Sequence, residues 1–140
     1  MMPRRMSVAM TQAQVLARTK TVTRRKGWWL DKHGRPLVKA GDRLVLVDRV
    51  MGFKKGERAT VLAEVEVVSA RRERLSDLAW TTRLTSDYRW AKREVTLEGF
   101  PDMEPTEFVR RYFLDAQGMS PIDNVTRIEW RYLDDEGGSE

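Results

Sequence analysis

Arg24, Arg25 and Lys26 stand directly before Gly27 and the pair Trp28-Trp29. Three cations beside two large aromatic side chains are the types that grip phosphate while stacking an unpaired base. With Thr21 they form a candidate surface for RNA or single-stranded nucleic acid. The competing reading is that both tryptophans belong to the core, where that side chain is more often found. Composition alone leaves the two readings level, and the distribution of charge bears on where a partner would approach. From Met1 to Leu30 every charged side chain is basic, namely Arg4, Arg5, Arg18, Lys20, Arg24, Arg25 and Lys26. The net charge of +5, from 26 Lys and Arg against 21 Asp and Glu, is modest. The positive field therefore belongs to the N-terminal segment, where a phosphate-bearing partner is steered.

Other chemistries are excluded or weakened by composition. Without cysteine the chain has no disulfide, no zinc-thiolate site and no cysteine nucleophile. His33, the single histidine, lies beside Gly34 in an expected loop without ligand neighbours, so it is read as surface and neither a metal nor a cofactor is expected. Asp102, Glu104 and Glu107 suit the start of a helix better than a metal ion. The run Arg71 to Arg74, with Arg83, Arg89, Lys92 and Arg93, extends the basic surface or is simply a solvated face. Met2-Pro3-Arg4-Arg5 has a twin-arginine look, but the run from Met6 to Met10 is too short for a signal's apolar region. No stretch spans a bilayer, and a cytoplasmic protein with no membrane partner is expected.

The elements that must hold these residues follow from the pattern. Arg5 to Met10 reads as a first strand, and Thr11 caps a short helix carrying Ala13, Val15, Leu16 and Ala17. Thr19 to Arg25 alternates Thr and Val with Lys and Arg, the composition of a strand or extended loop bordering a cleft. Gly41-Asp42 turns into the apolar strand 43–47, and Lys54 to Glu57 is a turn into a long strand from Ala59 to Ala70, paired antiparallel with it. Ser76 and Ser86 cap one or two helices up to Leu97, and Glu98-Gly99-Phe100-Pro101 interrupts them. Pro105 opens a helix with Phe108, Val109, Tyr112 and Phe113 on one face and Gly118 as its stop. Val125 to Leu133 alternates as a last strand. This order gives an α+β fold, a small mixed β-barrel or curled sheet with helices over its openings. At 41% hydrophobic content, residues 1–133 suffice for a single domain, and 134–140 read as an acidic disordered tail.

Four features in this order resemble the ASCH domain family of the PUA-like superfamily. They are Lys20-Thr21-Val22-Thr23-Arg24-Arg25 after a short helix, Gly41-Asp42-Arg43-Leu44, Glu98-Gly99-Phe100 with Phe108 beyond, and the closing strand. The resemblance spans roughly Ser7 to Leu133. It implies a PUA-like barrel with a cleft for RNA, single-stranded nucleic acid or a modified nucleoside. Some bacterial members are N4-acetylcytidine amidohydrolases in which a lysine, a threonine and a glutamate are catalytic, which by the motifs fall on Lys20, Thr23 and Glu98. The stretch from Gly27 to Val38 and the arginines from Arg71 to Arg74 depart from that pattern.

In such a hydrolase Thr23 attacks, Lys20 takes its proton as a neutral amine, and Glu98 handles the leaving group. Lys20 and Thr23, three apart, share a pocket only if Lys20 precedes the strand or a bulge intervenes. The bland alternative is an ordinary Lys20–Glu98 ion pair with Thr23 placed for strand propensity. A nucleic-acid or nucleoside binding module asks least of the sequence, the amidohydrolase comes second, and a ribonuclease third.

Overall fold

The computed structural model describes residues 3–134. Most of the acidic tail expected at 134–140 lies outside them; Asp134 is described, and accepts from Arg18 at 2.8 Å. Five strands build one sheet: β1 (Arg4–Ser7), β2 (Val22–Arg25), β3 (Arg43–Val47), β4 (Val61–Arg74) and β5 (Asn124–Tyr132). Their spatial order is β1-β3-β4-β5-β2, with β1 parallel to β3 and every other pair antiparallel. The first strand ends three residues earlier than expected, giving way to a 3-10 turn, Ala9–Thr11, and then α1 (Gln12–Leu16). Both edge strands are four residues long.

β4 is the spine of the curl. Residues 61–66 pair with β3 and residues 65–74 with β5, and a bulge between Val67 and Ser69 interrupts the β5 ladder. A bulge bends its strand and increases the local twist, which turns the sheet into a half-barrel. The strand continues through Arg74, four residues beyond the expected end, so Glu73 belongs to the sheet.

Helices cover the other face: α2 (Ser76–Ala79), α3 (Tyr88–Leu97) and α4 (Pro105–Val109), the last running on as a π-helical stretch, Arg110–Asp115. Pro105 occupies its first turn as expected, whereas the helix-capping positions fall on Leu75 and Asp87 rather than Ser76 and Ser86.

Two apolar clusters follow from this layering. Met6, Val8, Leu44, Leu46, Val65, Ile128 and Trp130 fill the inside of the curl. Leu75, Leu78, Val95, Phe108, Phe113 and Val125 pack between the sheet and the helices. β5 serves both, with Val125 on one face and Ile128 and Trp130 on the other, so this strand is covered on two sides rather than half exposed. Each fully buried Val or Leu contributes about 1.5–3 kcal/mol.

α1 meets the turn after α3 through Gly99. The Gln14 amide donates to the Gly99 carbonyl at 3.2 Å, and φ of Gly99 is +108°. A Cβ there would stand 2.9 Å from the Gln14 Cγ. Gly99→Ala is expected to lower unfolding free energy by about 1–3 kcal/mol through backbone strain alone; urea denaturation beside wild type measures it.

Candidate functional site

Lys20 lies in the loop before β2, the placement that lets it share a pocket with Thr23. The loop is pinned at its backbone. The Thr21 amide donates to the Leu97 carbonyl at 2.9 Å, and the Trp130 amide donates to the Thr21 carbonyl at 2.9 Å. The Lys20 carbonyl accepts both the Trp130 indole N–H, at 3.1 Å, and the Tyr132 hydroxyl. Two buried aromatic side chains of β5 thus fix the Lys20 backbone.

A charge network lies between the sheet and α3. Arg24 of β2 donates to Glu73 of β4 at 2.5 Å, to Glu94 of α3 at 2.5 Å and to Glu98 at 3.0 Å. Arg127 of β5 donates to Glu94 at 2.6 and 3.1 Å. The Lys20 amine donates to the Glu98 carbonyl at 2.8 Å and to its carboxylate at 3.1 Å. All six side chains are buried, three cations against three carboxylates. Among the described residues no buried side-chain nitrogen or oxygen lacks a partner. Glu94 and Glu98, one helical turn apart, face the same side of α3, where Arg24 reaches both.

Charge states follow from these contacts. Burial lowers the Lys20 amine from its ordinary 10.5, and Glu98 only partly restores it. Burial acts on Arg24 in the same sense, but Glu98, Glu73 and Glu94 outweigh it and hold the guanidinium charged. For Glu94, burial pushes the carboxyl up, yet the bonds from Arg127 and Arg24 prevail and hold it below its ordinary 4.5.

One edge of the network opens into a cavity of about 200 Å³. Lys20, Thr23, Arg25 and Glu98 contribute to its polar wall, with Arg24 and Gln117 also at its edge. Phe100 and Tyr112 stack opposite each other with ring centroids 4.8 Å apart and line it together with Phe108 and Phe113. The remaining side is the end of β1 and the chain after it, Ser7 to Thr11. Arg25 spans this opening: its Nη2 donates to the Ser7 carbonyl at 2.5 Å and its Nε to the Thr23 hydroxyl at 3.3 Å. Since β1 and β2 are the two ends of the sheet, this guanidinium bridges the seam of the half-barrel. Among the described residues no carboxylate lies within 4 Å of it, so the cavity keeps one cation bonded only to neutral acceptors.

Several sequence expectations change here. Lys20, Thr23 and Glu98 do line one cavity, but among the described residues the Lys20 amine bonds to Glu98 and not to the Thr23 hydroxyl. That amine also satisfies a carbonyl at the C-terminal end of α3, a structural task that lysines commonly perform. Arg24, expected on a charged rim, borders the cavity, but its side chain has no exposed surface, because three glutamates draw it inward. Thr21, Lys26, Trp28 and Trp29 are not in the cavity wall. Trp28 packs against the inner core at φ +59°, and Trp29 lies under the Arg72 guanidinium at 5.9 Å, both half-buried. His33 is exposed. Among the described residues no cluster of three potential ligands could hold a metal ion, and no helix is long and apolar enough to cross a membrane. Glu73, Glu94, Arg127 and the aromatic wall were not recognised as site residues. The Glu94/Glu98 spacing of four was the one available signal.

The fold belongs to a known type. The chain has TM-score 0.61 and 13% identity to the crystal structure of a DUF984 family protein of Enterococcus faecalis V583, over 95% of this chain and 81% of that one. It has TM-score 0.53 and 11% identity to the ASCH domain of Lactobacillus crispatus JV V101, over 88% of this chain and 70% of that one. No family model and no curated protein matches it. The chain therefore has the ASCH-type, PUA-like fold, an α+β half-barrel of five strands with a helical layer.

Removing Arg24 leaves three buried carboxylates short of a partner. Arg24→Met is expected to cost about 3–5 kcal/mol in denaturant unfolding, the range for breaking a buried ion pair from one side. Acid acts on the same network with a definite sign. The contribution of Glu94 is full above its unfolded value near 4.5 and is lost as pH falls through its lower folded value. Melting temperature is expected to fall as pH drops below about 4.5, and less steeply in Glu94→Gln.

Proposed function

We propose that the cavity holds a base, as a modified nucleoside or as one residue of RNA or other single-stranded nucleic acid. The observation that carries this reading is the pairing of the stacked Phe100–Tyr112 wall with a polar wall of Lys20, Thr23, Arg25 and Glu98. An aromatic wall serves the face of a planar ring, while amine, hydroxyl and carboxylate serve its polar edge. At about 200 Å³ the space suits a single ring system rather than a larger ligand. Similarity to an ASCH domain structure agrees with this ligand class.

Hydrolysis of an N-acylated base is the second reading, favoured by the presence of Lys20, Thr23 and Glu98 in one wall. The Thr23 hydroxyl accepts from Arg25 and keeps its own proton to give up. In that reaction the hydroxyl oxygen attacks the acyl carbon, Lys20 takes the hydroxyl proton, the amine leaves protonated, and water releases the acyl group. Binding ranks first because the nucleophile and its base are not hydrogen-bonded to each other.

A thermal-shift series with cytidine, N4-acetylcytidine and other modified nucleosides tests the first reading. A bound nucleoside at a hundred times its Kd stabilises by about 2.7 kcal/mol, and Tyr112→Ala, judged at equal fold integrity by circular dichroism, is expected to reduce the shift. No shift with any nucleoside or single-stranded oligonucleotide counts against it. For the second, N4-acetylcytidine should yield cytidine, with a rate that rises with pH along a limb centred below 10.5 and vanishes in Lys20→Ala. Absence of product with wild type removes that substrate.

A further inference from the structure

A second concavity, of about 470 Å³, borders the same strand, β1, with Arg5 in its wall where Ser7 lines the first. Arg5 of β1, Arg49 and Arg58 line it with Val50 and Phe53. The β3–β4 loop has two acids near it, and both are engaged. Glu57 accepts from Arg49 at 2.9 Å, and Asp48 accepts from the Thr60 amide at 2.7 Å. Arg5 and Arg58 are exposed, and among the described residues neither has a carboxylate within 4 Å. Arg49 also lies over the Phe53 ring at 4.6 Å, leaving an aromatic face backed by a cation. Two free guanidinium groups beside that ring have the composition of a site for a phosphate backbone.

The two concavities share no lining residue, but both border β1. Arg5 and Ser7 lie two residues apart on β1 and so point to one face, roughly 6.6 Å apart along the strand. Arg5 lines the arginine groove, while Ser7 lines the base cavity and accepts from Arg25. The Ser7 hydroxyl donates to the Asp48 carbonyl at 3.5 Å, next to Arg49. A chain leaving the cavity along β1 therefore meets Arg5 first and Arg58 and Phe53 with it.

We infer that this groove binds the phosphate backbone of a single-stranded oligonucleotide whose base occupies the cavity, so that the ligand is an oligonucleotide rather than a free nucleoside. The inference rests on the cavity taking a base. An anionic membrane surface also attracts arginines, and Val50 and Met51 are exposed beside them. The groove's concavity, and the two-residue spacing on β1 between its Arg5 and the Ser7 of the base cavity, favour a threaded chain over a flat surface.

The test compares wild type with Arg5→Gln plus Arg58→Gln, using a fluorescent single-stranded ten-mer, a nucleoside and phosphatidylserine vesicles. Both residues are exposed, and equal melting temperatures confirm an intact fold. The double variant is expected to bind the ten-mer about ten-fold or more weakly at low salt, with a log Kd against log salt slope shallower by about 1.4, as for two lost phosphate contacts. Its thermal shift with a nucleoside should equal that of wild type. Equal ten-mer affinity and slope in the two proteins overturn the inference. So does vesicle capture that depends on the two arginines when the ten-mer does not bind. Ten-mer binding that depends on Arg5 and Arg58 but is unchanged in Tyr112→Ala, at equal fold integrity, refutes the base cavity and leaves the groove standing.

Discussion

Burial of Arg24 is the constraint on which the other parts depend. A guanidinium without solvent needs full compensation, and here it is drawn from three separate places: Glu73 on β4, Glu94 within α3 and Glu98 just past its end. Those contacts exist only when β2 has added to the sheet edge, β4 has passed its bulge and α3 has docked. Greasy packing tolerates sliding, whereas a six-membered set of buried charges, in which every described buried side-chain nitrogen and oxygen has a partner, does not. The network fixes how α3 is set on the sheet more firmly than the apolar cluster beside it can, and through Glu98 it determines where the cavity wall stands.

The same arrangement explains why Lys20 is tuned rather than merely placed. Its backbone is tied to β5 by Trp130 and Tyr132, and its amine meets Glu98 at the end of α3. Burial favours the neutral amine and the carboxylate favours the cation. A lysine balanced in this way responds to what enters the cavity: a ligand that displaces the Glu98 carboxylate leaves desolvation unopposed, and an anionic one restores the charge.

Much of the fold was legible from local pattern. The apolar alternation of β3, β4 and β5, the Pro105 start, the Phe108–Phe113 face and the break at Glu98-Gly99 all act over a few residues. The sheet order was not legible, since nothing local tells that β2 closes onto β5 or that β1 runs parallel to β3. In the site, Lys20 and Thr23 were visible through a sequence motif, but charge patterning placed the Arg24 side chain on the surface and overlooked Glu73. A basic run reads as solvated unless its partners are known, and those partners lie 49 to 74 residues away. The bend in β4 at its bulge carried Glu73 inward, and no residue type marks that bulge.

The seam between β1 and β2 has a further consequence. A sheet that ends in long, flat, unpaired strands invites strands from other molecules. Here each end is four residues long, the ends curl toward each other, and the Arg25 side chain crosses from one to the other. An incoming strand would have to displace that guanidinium from the Ser7 carbonyl and would find too little ladder to repay the loss. The bridge that frames the cavity thereby also guards the sheet against edge-to-edge self-association.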